Sequence, residues 1–203
     1  NAHLGGVYLE LTRKMAVDAF EIPRLRMVER LRDHYQIADR RVLETMGRIP
    51  RHLFVPDALR AQSYKDNALP IAAGQTISQP FIVARMTELL GLKGTERVLE
   101  IGAGSGYQSA VLASLVRKVY SVERIETLAR AAVEKLRSIG INNVSIRIGD
   151  GTKGWPVYAP FDAILVAAGG PEVPAPLIEQ LEIGGRLVVP VGPEQKSQEL
   201  VRV

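Results

Sequence analysis

The 203-residue chain contains no cysteine. That excludes disulfides, thiolate metal sites and a cysteine nucleophile, and it favours the cytoplasm mildly, since secreted proteins need not carry disulfides. Histidine is almost as scarce. His3, His34 and His52 have no mutual spacing that suggests a metal site or a triad, so no metal is expected. Aromatic residues are few, with four Phe, six Tyr and one Trp. No apolar run approaches the roughly 20 residues that cross a bilayer. Asn1 to Gly6 has neither the basic nor the apolar region of a secretion signal. A cytoplasmic protein with no membrane partner is therefore expected.

What is present is the composition of an ordinary globular protein, 46% hydrophobic and 24% charged. A chain of this length can bury roughly 70% of its unfolded surface, enough for one domain with a small appendage. The net charge is +4, and the excess lies early. Arg24, Arg26, Arg30, Arg32, Arg40, Arg41, Arg48 and Arg51 face only Glu29, Asp33, Asp39 and Glu44. A basic face could meet nucleic acid. Solvated helices are the preferred reading, because no series of aromatics accompanies the arginines as a stacking platform requires. No nucleic-acid partner is expected.

The pattern along the chain changes once. Residues 1–22 are set apart as an N-terminal extension, and 23–203 are expected to form one domain. Within it, 23–95 read as helical. Pro23 opens a helix with Leu25, Val28, Leu31 and Tyr35 on one face, and Asp39 caps a second carrying Val42, Leu43 and Met46. A short helix follows Pro56. Tyr64 to Pro80 spells loop, with Asn67, Pro70, Gly74 and Pro80, and a helix from Pro80 to Leu90 buries Phe81, Ala84, Leu89 and Leu90. From 96 onward strands alternate with helices: strands at 98–101, 119–122, 144–148, 163–168 and 186–191, and helices at 106–116, 126–139 and 176–181, with a turn at Gly184–Gly185. This predicts an α/β fold, a doubly wound, mostly parallel Rossmann-like sheet with helices on both faces and an N-terminal helical extension. Leu200–Val203 reads as the start of a sixth strand, so a C-terminal segment is expected to be missing.

The most informative segment is Val98-Leu-Glu-Ile-Gly-Ala-Gly-Ser-Gly-Tyr107, between a strand and a helix. Gly102, Gly104 and Gly106, with Ala103 between, permit a tight turn and close approach of a ligand. A dinucleotide fingerprint has Gly-x-Gly-x-x-Gly; here the spacing is Gly-x-Gly-x-Gly followed by bulky Tyr107. Glu100 puts a carboxylate where a pyrophosphate would want none, and a ligand with a cationic end, such as S-adenosyl-L-methionine, suits it. Glu123 ends the next strand, with Arg124 after it, placed to accept from ribose hydroxyls. Asp150, in Gly149-Asp150-Gly151, ends the third and is placed near the adenine amino group. Each acid alone is more often a cap or turn residue. Three at the ends of adjacent strands beside a glycine loop indicate a methyltransferase.

Three segments together go further: Leu69-Pro-Ile-Ala-Ala-Gly-Gln-Thr-Ile-Ser-Gln-Pro80 with Val83-Ala-Arg-Met86, then Val98–Tyr107, then Pro160-Phe-Asp-Ala163 with Gly184–Gly192. They resemble the protein-L-isoaspartate O-methyltransferases from about Val42 to Gly192, and Gln-Thr-Ile-Ser-x-Pro is the distinctive part. The resemblance implies methylation of the α-carboxylate of L-isoaspartyl residues in damaged proteins, with S-adenosyl-L-homocysteine as product and repair through a succinimide. It implies that Ser78 is catalytic, that Thr76, Ile77 and Ser78 meet the substrate, and that the loop from Gln75 to Ser78 also encloses the cofactor. Glu123, Asp150 and Gly151 match cofactor positions. In the family a C-terminal segment helps to enclose the site. A monomer acting on isoaspartyl proteins and peptides is expected.

From local pattern alone, Ser78 and Gln79 also fit the residues that lead into the helix opened by Pro80. Two other functions stay open: a nucleic-acid methyltransferase, against which Ala167-Ala-Gly-Gly-Pro-Glu172 lacks the Asn/Asp-Pro-Pro-aromatic motif, and a non-catalytic S-adenosylmethionine-binding module.

Overall fold

Arg97–Ile101, the strand that leads into the glycine loop, runs through the middle of a six-stranded sheet. The computed structural model describes residues 18–193 and 198–203, so most of the expected N-terminal extension, 1–17, lies outside the described residues. The strands are β3 (Arg97–Ile101), β4 (Lys118–Glu123), β5 (Val144–Ile148), β6 (Phe161–Val166), β7 (Leu181–Val191) and β8 (Glu199–Arg202), in the order β5-β4-β3-β6-β7-β8. Every pair is parallel except β7–β8. A separate two-residue ribbon pairs β1 (Leu69–Pro70) with β2 (Thr76–Ile77).

Six α-helices are described: α1 (Glu21–Asp33), α2 (Arg40–Arg48), α3 (Pro80–Leu90), α4 (Tyr107–Ala113), α5 (Glu126–Ser138) and α6 (Ala175–Glu179). The strand pleat sends alternate side chains to opposite faces. Val98 joins the core shared with α1 to α5, whereas Leu99 and Ile101 join a second core under Leu177 of α6. The second face is thinly covered, by α6 and short 3-10 turns at Gly151–Lys153 and Pro156–Tyr158. The central strands read as nearly unbroken apolar runs because both faces are buried.

Several expectations hold to the residue. Asp39 caps α2 by accepting from the amides of Arg41 (2.9 Å) and Val42 (3.2 Å), and α3 begins at Pro80 and ends at Leu90. Others need correction. On α1 the buried residues are Arg24, Met27 and Leu31, while Leu25 is half exposed. The face is rotated because Arg24 is drawn inward by the Gly47 carbonyl (2.9 Å), the Tyr64 hydroxyl (3.2 Å) and Asp18 (2.6 Å). On α3 the buried set includes Val83, Met86 and Thr87, and Phe81 and Leu89 are only partly covered. Thr87 tolerates burial by donating to the Val83 carbonyl and accepting from Gln108.

The turn expected at Gly184–Gly185 is a wide bulge within β7. There β7 advances from Leu181 to Arg186 while β6 advances only from Phe161 to Ala163. Gly184 takes a positive φ of 78° to make it. The last strand runs antiparallel, with Val188 opposite Arg202.

Replacing Asp39 with alanine orphans two amides at the start of α2. A loss of about 1 kcal/mol is expected, read as a lower urea midpoint at unchanged slope; an unchanged midpoint would show that the cap is dispensable.

Candidate active site

The sheet's order reverses beside β3: the chain goes to β4 and β5 on one side, then crosses to β6 on the other. A crevice opens at such a point, at the carboxyl ends of the strands. The glycine loop lies at its floor. Gly102, Gly104 and Gly106 have φ of 91°, 52° and 87°, a region that side chains disfavour. A Cβ on Gly151 would come within 2.3 Å of Ile101 Cγ2, so glycine is needed there for the loop after β5 to lie against the end of β3.

The crevice is about 630 Å³, within the range of small-molecule sites. Gln75, Gly102, Glu123, Arg124, Asp150, Gly151 and Glu172 are among its lining residues. A smaller space of about 100 Å³ adjoins it, sharing Gln75, Gly102, Glu123 and Ala168, and lined further by Thr76, Ile77, Ser78, Ala103, Gly104 and Tyr107.

The two strand-end acids have structural duties as well. Glu123 Oε2 accepts from the Gly104 amide and Oε1 from the Ile125 amide, both at 2.9 Å, so this carboxylate sets the shape of the glycine loop. Asp150 Oδ1 accepts the Thr152 amide (3.0 Å) and hydroxyl (2.7 Å), which holds its carboxyl below the usual range. Its Oδ2 has no partner among the described residues and is exposed at the crevice. These acids suit a cofactor with a cationic amine, a sulfonium and sugar hydroxyls, so the donor set fits S-adenosylmethionine.

Above the crevice, the β1–β2 ribbon turns tightly through Ala73 and Gly74, both at positive φ. It lays Ile71 over Gly104, within 3.9 Å of where a Cβ would be. Ile77 is buried, Thr76 exposed and Ser78 half-buried. Ser78 and Gln79 do lead into α3, which opens at Pro80 as the local pattern suggests, but neither side chain caps it. Gln79 stands at the cap position without a capping side chain, and the Phe81 amide instead donates to Asp66 (2.8 Å) from the preceding loop. The Ser78 hydroxyl makes no hydrogen bond among the described residues and lines the smaller space.

Of the residues singled out from sequence, Gln75 to Ser78, Gly102 to Gly104, Tyr107, Glu123, Arg124, Asp150 and Gly151 thus converge on one crevice. Gly106 and Gly149 stand behind it. A Cβ on Gly106 would come within 3.2 Å of Ala132, so this glycine lets α4 approach α5. The Gly149 amide bonds the Glu123 carbonyl (3.0 Å). Sequence reasoning missed Ser105, Gln108 and the wall from Ala167 to Glu172. The small residues after β6 were a usable signal, since Ala167 and Ala168 lie against Gly102.

A family model described as protein-L-isoaspartate(D-aspartate) O-methyltransferase matches residues 24–203. The chain belongs to this family. The protein-L-isoaspartate O-methyltransferase of Syntrophus aciditrophicus is 58% identical over 92% of this chain and 85% of its own length. That of Geobacter metallireducens is 56% identical over 91% and 85%. A solved protein-L-isoaspartate O-methyltransferase superposes with a TM-score of 0.77 at 32% identity, covering 88% of this chain and 59% of that one. A second, from Plasmodium falciparum and bearing S-adenosyl-L-homocysteine, gives 0.74 at 26% identity, covering 88% of both. The activity is accordingly that of an S-adenosylmethionine-dependent protein carboxyl methyltransferase.

Besides Gly106 and Gly149, a third residue departs from its expected place in this family member. Glu100 does not line the crevice. The pleat turns it to the opposite face from Ile101, where it is fully buried and accepts from Ser109 of α4. Burial pushes its pKa up to about 7, against the lowering effect of Ser109 and Ser121, and nearby Glu123 adds to the rise. The folded protein therefore holds a proton that the unfolded chain releases above pH 4.5. Stability falls as pH rises from about 4.5 to about 7, by up to about 3 kcal/mol, and this contribution is flat above that. Urea titrations at pH 5 and pH 8 should show the loss in the parent and a much smaller one in Glu100→Gln. Equal losses in the two proteins would assign the pH dependence elsewhere.

Proposed function

We infer that this chain methylates the α-carboxylate of L-isoaspartyl residues, with Ser78 receiving the carboxylate and the crevice beneath holding S-adenosylmethionine. The free Ser78 hydroxyl over the glycine loop carries the reading. A carboxylate with a pKa near 4 is ionised at neutral pH and needs no general base. When bound, the cofactor supplies an electrophilic methyl carbon on a sulfonium. That methyl would pass to a carboxylate oxygen held by Ser78 and Thr76, the electron pair of the carbon–sulfur bond returning to sulfur, so that the products would be a methyl ester and S-adenosylhomocysteine. Because a negative and a positive charge disappear together, a strong cation on the acceptor would stabilise the ground state more than the transition state. Hydroxyl donors such as Ser78 and Thr76 orient the oxygen without that penalty.

The remaining assignments belong to the same reading. Asp150 Oδ2 accepts from the adenine amino group and Glu123 from the ribose, while Gly102 and Gly104 let the cofactor lie against the backbone. Residues 23–203 act as one methyltransferase domain, as a cytoplasmic monomer, without a metal.

Labelled methyl transfer to two peptides differing only in Asp versus isoAsp tests the reaction, and base-labile label on the isoAsp peptide alone is expected. Ser78→Ala should lower kcat/KM about 10- to 150-fold, the worth of a hydrogen bond to a charged group. The Kd for S-adenosylhomocysteine, by calorimetry, should change less than about threefold if that is the only bond lost. Undiminished turnover in the alanine variant would remove Ser78 from the mechanism.

A further inference from the structure

Under the acceptor loop lies a buried cation. Arg51 belongs to the 3-10 turn Arg51–Phe54, and its side chain is wholly shielded from solvent. Nε donates to the Ser63 carbonyl (2.7 Å) and Nη2 to the Ser78 carbonyl (2.8 Å). Nη1 has no partner among the described residues. The guanidinium carbon stands 4.7 Å from the centroid of the Tyr107 ring. None of the ion pairs among the described residues includes Arg51.

Burying a charge without a counter-ion is costly. Arginine repays the cost only where a planar, forked donor does what a neutral amide cannot. Here one rigid group holds two carbonyls and lies against an aromatic ring at the same time. The three groups come from three separate segments of the chain. Ser63 follows the 3-10 turn Asp57–Gln62, Ser78 is in the acceptor loop, and Tyr107 opens α4 directly after the glycine loop. Tyr107 is itself pinned edge-on by Phe54, with ring centroids 5.5 Å apart.

We propose that Arg51 is a positioning residue for methyl transfer: acting through the Ser78 carbonyl, it holds the acceptor loop in register with the cofactor loop. The inference rests on the reading that Ser78 receives the acceptor carboxylate. It makes Arg51 the piece that joins acceptor to donor, since the β1–β2 ribbon alone has only two paired positions. In-line transfer is sensitive to such placement, and a displacement of about 1 Å can cost 100-fold in rate. Lysine keeps the charge but cannot hold two carbonyls and the ring together.

A double-mutant cycle with Arg51→Lys and Ser78→Ala tests this, reading kcat and KM on an isoAsp peptide and Kd for S-adenosylhomocysteine. Arg51→Lys should lower kcat at least about tenfold, within the cost range of such misplacement. Cofactor Kd should stay within about threefold, which a generally loosened fold would not allow. In the lysine background, Ser78→Ala should cost far less than in the parent, because residues that act as a unit are non-additive. Unchanged kcat in Arg51→Lys, or losses that simply multiply, overturn the proposal. An inert Ser78→Ala beside an impaired Arg51→Lys would remove the serine assignment and leave the hold on the loop standing. If the lysine variant does not fold, the same cycle is read with Arg51→Gln, which keeps a neutral donor but loses the fork.

Discussion

Val98 and Leu99 sit on the midline of the sheet, with Val119 and Tyr120 of β4 on one side and Ala163 and Ile164 of β6 on the other. Both neighbours run parallel to β3, yet the chain reaches them by crossing in opposite directions. No helix can therefore cover the carboxyl end of β3 from both sides, and the backbone there is left facing a crevice. The Gly102 amide bonds the Val122 carbonyl and the Ala167 amide the Ile101 carbonyl, which ties the loop ends to the sheet on either side. Glu123 then reaches back to the Gly104 amide. The crevice is the geometric consequence of that pairing, before any ligand is considered.

The acceptor side is assembled differently. It has almost no regular structure of its own, only a two-pair ribbon, and it depends on side chains from elsewhere. Asp66 accepts from the Phe81 amide at the start of α3 and from the Tyr35 hydroxyl, and Arg51 donates to the Ser78 carbonyl. Both supports are charged groups satisfied mainly by uncharged partners, an arrangement that costs desolvation and yields rigidity. Spending that free energy beside a reaction governed by alignment is consistent with the chemistry, since the acceptor carboxylate needs placing and no activation.

Much of this was legible in advance, and the misses share a cause. Asp39 and Pro80 mark helix starts by local chemistry, so the boundaries at Arg40 and Pro80 follow from a few adjacent residues. The faces of α1 and α3 did not follow, because the burial of polar Arg24 and Thr87 relies in part on partners 21 or more positions away. Glu100 failed for a similar reason. Its position at the end of β3 was right, but the pleat decides which face a strand residue serves, and a one-residue difference sends it to the other core. Gly106 and Gly149 were expected to meet the cofactor, but their work is helix packing and strand pairing behind the crevice.

The sequence by itself determined the α/β alternation, the glycine loop, the acids after β4 and β5, and the Gln75–Ser78 segment with its family resemblance. These are local patterns, carried by residues within a turn or a strand of one another. Only the tertiary structure decided that β8 returns antiparallel, that Glu100 is a buried acid, and that Arg51 lies between Ser78 and Tyr107. Each of those depends on contacts between distant segments, whose partners are chosen by packing and desolvation rather than by spacing along the chain.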